Sequence, residues 1–132
     1  MTATLILGEG ILNWFTFERQ SDRYGAIHLE TTPGVYATFP NAREGAKGTL
    51  VATVTQTRPS GHIGDLFRGI GPSEPEIGEP VELGTGKLFT YLEQDIPVIG
   101  VEPEDGRDDD WMDPRALYRC HNQTVRLAFV AH

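Results

Sequence analysis

A histidine, an aspartate and an arginine recur at intervals of three within the stretch RPSGHIGDLFRGIGP, which is otherwise mainly glycine, proline and apolar residues. On a helix, side chains three apart are neighbours, so Asp65 can orient the His62 imidazole or pair with Arg68. An imidazole beside a carboxylate is the minimum for a general base, and a guanidinium can hold an anionic substrate. His62 and Asp65 are therefore candidate catalytic residues, and Arg68 is a candidate ligand-binding residue.

The same stretch has a plainer interpretation as an amphipathic helix over about residues 60–68. Its apolar residues fall at i, i+3, i+4 and i+7: Ile63, Leu66, Phe67 and Ile70. Gly64 and Gly69 limit such a helix to about two turns. It would cover one end of a β core with its polar side in solvent, and Ser60 would cap it. No nucleophile is specified by the spacing, so both interpretations stay open.

A second helix is expected over residues 113–122, DPRALYRCHN. Asp113 can cap this helix, and Pro114 suits its first position. The helical spacing makes one stripe apolar: Ala116, Leu117 and Cys120. Cys120 precedes His121 directly, but neighbours on a helix diverge by about 100°, so the two do not form a thiol–base pair. We expect Cys120 to be buried.

The opposite side of the second helix presents two arginines. Arg115 and Arg119 are four residues apart, so they share a face and repel each other unless an anion lies between them. That anion is either a ligand carboxylate or phosphate, held by the planar guanidinium groups, or an acidic side chain of the protein itself. Arg115, Arg119 and His121 are therefore candidate ligand-binding residues.

Acidic residues are concentrated in one part of the chain. Residues 74–113 contain thirteen acids and two bases, whereas residues 1–73 carry no net charge and residues 114–132 carry +3. Between Glu102 and Asp113 lie oxygen donors of the kind that calcium or magnesium binds. Their order does not match a calcium-binding loop. We predict a solvated acidic loop, with no metal site and no cofactor.

The net charge of −8 disfavours nucleic acid as a partner, because an acidic surface repels phosphate backbones and no basic stripe is visible. No apolar run approaches the roughly 20 residues that cross a bilayer. The N-terminus lacks a basic leader and a cleavage site. Cys120 is the only cysteine, so an internal disulfide is excluded. We predict a cytoplasmic protein that does not bind membranes.

Short extended segments make up most of the chain. Alternating apolar and polar residues predict strands, most clearly in TLVATVTQT and TVRLAFVA. Glycines at residues 8–10 and at residues 84–86 are interpreted as hairpin turns. His28 shares a strand face with Ala26 and Glu30, and this face either lines the interior or meets solvent. About seven or eight strands predict one mainly β domain over residues 1–132, a small antiparallel β-barrel or barrel-like sandwich with two short helices.

In such a barrel a ligand pocket opens at one mouth, and the predicted helices near residues 60–70 and 113–122 would wall it. Because no catalytic signature is complete, we expect a non-enzymatic module that binds a small anionic molecule or a protein partner. The alternative is a small metal-independent hydrolase, isomerase or lyase acting on an anionic metabolite, with His62 and Asp65 as the general base. Convergence of His28, His62 and His121 would support that enzyme. The helices are also candidates for a homo-oligomer interface.

Overall fold

The computed structural model describes residues 4–19, 22–56, 76–102, 112 and 114–132. These residues form seven strands and one helix, in chain order β1 (Thr4–Arg19), β2 (Asp22–Thr32), β3 (Val35–Tyr36), β4 (Lys47–Gln56), β5 (Pro80–Glu93), β6 (Ile96–Glu102), α1 (Pro114–Cys120) and β7 (Thr124–Ala131). None of the described residues belongs to a helix long and apolar enough to cross a membrane. The helix expected over residues 60–68, with His62, Asp65 and Arg68, lies outside the described residues.

The seven strands form one antiparallel sheet that closes into a ring. Their order is β1-β7-β4-β5-β6-β2-β3, and β1 pairs with β2 as well as with β7. The two-residue strand β3 lies beside the end of β2. This arrangement confirms the predicted mainly β, barrel-like antiparallel fold. Closure also leaves few free strand edges on which another chain could pair.

The inside of the ring is filled by apolar side chains. Successive residues of a strand point to opposite faces, so alternate positions face inward. The buried positions of the two clearest strands are Leu50, Ala52 and Val54 in β4, and Val125, Leu127 and Phe129 in β7. These inward faces were predicted from the sequence and are confirmed. Removal of this apolar surface from water stabilises the fold by about 25 cal/mol per Å².

The two glycine-containing segments interpreted as hairpin turns are not turns, and that prediction is wrong. The sequences LGEG, at residues 7–10, and LGTG, at residues 83–86, both lie inside long continuous strands, β1 and β5. In β1 the register against β7 shifts between Ile6 and Gly8. In β5 the pairing with β4 skips from Gly84 to Glu82. Each Leu-Gly pair therefore marks a β-bulge, where one strand has an extra residue.

The extra residue in both bulges is a leucine that enters the core. Leu7 is 4% exposed and Leu83 is fully buried. A bulge bends its strand and increases the local twist, which a small sheet needs in order to close. The glycines permit close approach of the neighbouring backbone, since a Cβ on Gly10 would lie 2.9 Å from the Glu30 carbonyl oxygen. The sequence pattern of a turn and that of a bulge are alike, which explains the error.

A tight hairpin that the sequence analysis did not predict joins β5 and β6. Gln94 and Asp95 connect these strands with positive φ angles of 51° and 68°. A two-residue turn with both φ angles positive matches the right-handed twist of the strands it joins. Asparagine, aspartate and glycine usually occupy such positions. Because Gln94 is not one of these residue types, the sequence pattern did not predict this turn.

One end of the ring, here called the loop end, is closed by residues 37–46. The loop is held by backbone hydrogen bonds from Gly45 N to Leu88 O (2.8 Å) and from Leu88 N to Ala46 O (2.9 Å). Its apolar side chains pack against the core: Ala37, Phe39, Ala42 and Ala46. The loop therefore seals this end of the core with apolar surface.

The opposite end, here called the helix end, carries α1. β4 ends there and β5 begins there, since Gly78 N donates a hydrogen bond to Val54 O at 2.7 Å. α1 contacts β5, and its apolar residues join the core. The described chain also breaks off at this end after Gln56 of β4, and it resumes at Glu76, close to the bond between Gly78 and Val54.

We predict that Gly48→Ala destabilises the protein far more than Gly8→Ala. A Cβ on Gly48 would collide with the Val130 carbonyl oxygen and come within 2.7 Å of the Phe129 ring. Such overpacking costs about 1–3 kcal/mol. A Cβ on Gly8 would meet its nearest neighbour at 3.6 Å, an ordinary contact, so its effect should stay within about 1 kcal/mol. Urea unfolding of both variants measures the difference, and equal losses would contradict the packing described for Gly48.

Candidate functional site

The structure places three of the six predicted site residues, and all three lie at the helix end. Arg115 and Arg119 are on α1, and His121 follows it directly. His62, Asp65 and Arg68 lie outside the described residues, so their predicted roles stay predictions. The helix end is therefore the candidate site that the structure can describe.

α1 has the buried stripe expected from its sequence. Ala116, Leu117 and Cys120 are 6%, 2% and 0% exposed, whereas Arg115 is exposed. Asn122, with a φ of 65°, occupies the left-handed conformation that commonly ends a helix. This conformation turns the chain from α1 into β7 and fixes the position of His121 between them.

Arg119 is held by an acidic residue of the protein itself. Its Nη2 donates a hydrogen bond to Glu79 Oε2 at 2.5 Å, and the two side chains are 25% and 37% exposed. This hydrogen bond lowers the pKa of Glu79. Glu79 belongs to the acidic part of the chain, so one of the two explanations given for the arginine pair applies to Arg119. A ligand role for Arg119 and Arg115 stays a prediction.

Cys120 is a buried structural residue, as predicted. Burial raises the pKa of its thiol to about 12, with Arg119 lowering it slightly and Glu79 raising it. Only a thiolate is an effective nucleophile, and His121 is adjacent in sequence rather than facing the thiol. The thiol is therefore a weak nucleophile near neutral pH.

His28 lies on the outer face of the ring, because its neighbours Ile27 and Leu29 point into the core. It is nevertheless half-buried. Its ring packs against the Tyr36 ring, with centroids 4.9 Å apart and planes tilted by 56°. The sequence left open whether this position lines the interior or lies at the surface; His28 lies on the outer face and is partly covered there.

His28 belongs to a transverse row of residues on four neighbouring strands. It lies opposite Asn13 of β1. The bridging pair Ile27–Ile99 puts Val98 of β6 on its other side, and Val98 pairs with Tyr91 of β5. Residues opposite each other in adjacent strands have Cβ atoms about 5 Å apart. The row Asn13, His28, Val98 and Tyr91 therefore forms one continuous strip of the outer face.

The outer face is covered along part of this strip. Ala26 and Val98 point away from Ile27 and Ile99, yet all four are fully buried. Both faces of the sheet are therefore shielded from water where β2 meets β6. Polar groups near this point are partly desolvated, which changes their protonation.

His121 lies on the other side of β1 from His28. The turn that contains it is tied to β1 by hydrogen bonds from Asn122 N to Leu12 O (2.7 Å) and from Leu12 N to Gln123 O (3.0 Å). Since neighbouring strands are about 4.8 Å apart, the backbone segments bearing the two histidines are separated by roughly 10 Å. Two of the three histidines whose convergence was in question thus flank one strand, and His62 lies outside the described residues.

Both histidines are biased toward the neutral form. Burial lowers the pKa of His28 below its ordinary value of 6.5, the Glu30 carboxylate opposes this shift, and the charge of a protonated His121 adds to it. Burial also lowers the pKa of His121. The Nδ1 atom of His121 is buried and has no hydrogen-bond partner among the described residues. At neutral pH the pair can accept protons, but gaining charge is costly.

The described residues contain no group of three metal-ligating side chains. Of the acidic stretch that begins at Glu102, only Glu102 itself and Met112 fall within the described ranges. A metal site in that stretch is therefore not tested by the geometry. What the described helix end offers chemically is guanidinium groups and imidazoles, which bind anions and transfer protons.

Comparison of the chain with protein-family models, with curated proteins and with solved structures gave no significant match. No relative therefore supplies a function for this chain. The function has to be inferred from the side chains at the helix end and their surroundings.

We expect Cys120 to resist alkylation in the folded protein. With its pKa raised to about 12, roughly one thiol in 10⁴ is a thiolate at about pH 8. Iodoacetamide labelling, followed by mass spectrometry, should be negligible in buffer and complete in guanidinium chloride. Rapid labelling under native conditions would contradict the burial of Cys120.

We also expect the histidine pair to make stability pH-dependent. Because the folded pKa values are lowered, this contribution is complete above about pH 6.5 and is lost as the pH falls through the folded values. Urea unfolding across this range gives the free energy of unfolding at each pH. Its dependence on pH should be weaker in His28→Gln and in His121→Gln than in the wild type. A double variant of His28 and His121 with an unchanged pH dependence would refute the linkage.

Proposed function

We propose that the protein is a non-enzymatic binding module that holds a small anionic molecule or a protein partner at the helix end. The observation that carries this proposal is the difference between the two ends. The loop end is closed by apolar residues, whereas the helix end carries Arg115, Arg119 and His121.

The apolar composition of the core favours a ligand site at one end of the ring rather than inside it. The core cluster consists of apolar side chains and Cys120. A charged ligand inside it would lose its hydration without gaining hydrogen bonds, which costs several kcal/mol. Polar contacts for such a ligand are available at the helix end instead.

Guanidinium groups on a short helix favour an anion as the ligand. Planar guanidinium forks match carboxylates and phosphates, and charge-assisted hydrogen bonds to them are stronger than neutral ones. Arg115 is exposed, and a ligand can compete for Arg119 because its ion pair with Glu79 is partly solvated. A carboxylate of a partner protein would use the same contacts. Arg68 would extend this site if the connection 57–75 contributes to it.

Further parts of the proposal rest on the sequence. The single buried cysteine is consistent with a cytoplasmic location. The alternative, a small metal-independent enzyme with His62 and Asp65 as the general base, is distinguished by loss of turnover in His62→Ala without a large loss of stability. A homo-oligomer with α1 at its interface is distinguished by light scattering.

The ligand role is tested with Arg115→Gln and Arg119→Gln. Each should weaken binding of succinate or inorganic phosphate by about tenfold, the loss expected for one charge-assisted hydrogen bond. NMR chemical-shift titration of the backbone amides measures the affinity and shows whether the helix end responds.

Arg43→Gln is the matched control, because Arg43 is an exposed arginine of the loop end. This variant should bind as the wild type does. Unchanged affinity in both α1 variants, or an equal loss in all three, would overturn the proposed role of the helix-end arginines.

A further inference from the structure

The chain contains only two lysines, and the sheet places them directly opposite each other. Lys47 begins β4, Lys87 lies within β5, and the two are paired across these strands. Residues paired in this way have Cβ atoms about 5 Å apart on one face of a sheet. Leu50 and Leu88 point into the core, so the alternation of side chains puts both lysines on the outer face.

The positive charge of this pair is not balanced by an ion pair. Among the described residues, no carboxylate forms an ion pair with either lysine. Glu102 of β6 lies opposite Lys87 without forming one. Like charges directly opposite each other destabilise a sheet, and an anion bound between Lys47 and Lys87 would remove this repulsion.

A chain of hydrogen bonds lies next to the lysine pair. Thr49 and Thr85 form the next outward-facing pair along the two strands, and their hydroxyl oxygens are 2.9 Å apart. The Thr49 hydroxyl is also 2.9 Å from Nε2 of His132. His132 is held beside Lys47, because its backbone N donates a hydrogen bond to the Lys47 carbonyl oxygen at 3.0 Å. These residues, here called the lysine patch, occupy one area of the outer face: Lys47, Thr49, Thr85, Lys87 and His132.

The hydrogen bonds of the lysine patch can direct a hydroxyl proton toward a ligand. A threonine hydroxyl has a single proton to donate. When Nε2 of His132 donates to Thr49, Thr49 donates to Thr85, and the Thr85 hydroxyl keeps its own proton for another acceptor. Thr49 is only 7% exposed, whereas Thr85 and His132 are exposed. Thr85 is therefore the hydroxyl that meets solvent beside the two ammonium groups.

We infer that the lysine patch binds a phosphate group, as inorganic phosphate or as the phosphate of a small phosphomonoester. Lys47 and Lys87 supply two positive charges for a dianion, and Thr85 supplies a neutral donor. A phosphate has three or more oxygens with which to accept from all three groups. Lys87 lies about 20 Å along β5 from Pro80, where this strand begins at the helix end. The site is therefore separate from the one proposed at the helix end and does not depend on it.

NMR of the lysine side chains tests this inference directly, because the chain has only two lysines. Inorganic phosphate and phenyl phosphate are the probes. Phosphate should shift the ε-methylene signals of Lys47 and Lys87 and the amides of residues 47–49 and 85–87, all with one dissociation constant. Tighter binding of phenyl phosphate would identify a monoester as the ligand, and tighter binding of inorganic phosphate would identify the free ion.

Charge variants show whether both lysines contribute. Lys47→Gln and Lys87→Gln should each weaken phosphate binding by about threefold to tenfold, the loss expected for one charge-assisted hydrogen bond at the surface. Glu102→Gln should strengthen binding, because the carboxylate opposite Lys87 competes with the ligand. Arg126→Gln is the matched control and should bind as the wild type does. Arg126 is an exposed cation of the same outer face, about 20 Å along β7 from His132.

Threonine variants test the chain of hydrogen bonds. Thr85→Val removes the donor and should weaken binding by about threefold to tenfold. Thr49→Val interrupts the chain between His132 and Thr85 and should have a similar effect. Thr49→Ser keeps the hydroxyl and should restore the wild-type affinity. A loss in Thr49→Ser as large as that in Thr49→Val would overturn the positioning role of the Thr49 hydroxyl.

The outcomes also separate the lysine patch from the helix end. If millimolar phosphate shifts neither lysine, or only one of them, the inference is wrong. An equal loss of affinity in Arg126→Gln would also overturn it, because that result indicates general attraction of anions to the surface. Arg115→Gln and Arg119→Gln should leave the lysine response unchanged, and loss of the response in these variants contradicts a separate site. The amides of α1 report on the helix end, so either site can fail without the other.

Discussion

The structure depends on β1 pairing with two strands at once. Ile11 lies opposite Glu30 of β2 and also opposite Thr124 of β7. Elsewhere the ring is joined less firmly, since β2 and β6 share a single bridging pair. A strand that serves two partners must bend to follow both, and the Leu7 bulge with its glycines permits this. Closure of the sheet, burial of the core and placement of the histidines all follow from that double pairing.

Closure gives the molecule two chemically different ends. In an antiparallel ring, each connection between strands lies at one of the two ends. Residues 37–46 bring apolar side chains to one end and seal it. The other end receives α1, where β4 ends and β5 begins. Among the described residues, this end brings Arg115, Arg119 and His121 together with the carboxylate of Glu79.

Partial burial is what gives the helix end its chemical character. A solvated imidazole or guanidinium near an acidic surface would be an ordinary surface group. Here burial lowers the pKa of both histidines, and Arg119 forms an ion pair with Glu79. Further positive charge is gained at this end when either imidazole takes up a proton, and burial opposes that uptake.

Much of the fold was determined by the sequence itself, because alternation of apolar residues is a local property. It identified the inward faces of β4 and β7, the buried stripe of α1 and the burial of Cys120. The hairpin turns predicted at LGEG and LGTG were wrong. Glycine permits both a turn and a bulge, and pairing with the partner strand decides between them. His28 and His121 were individually visible, but their position across β1 was not. Only the register of strands distant in sequence brings them together, and only the second layer of burial makes them more than surface histidines.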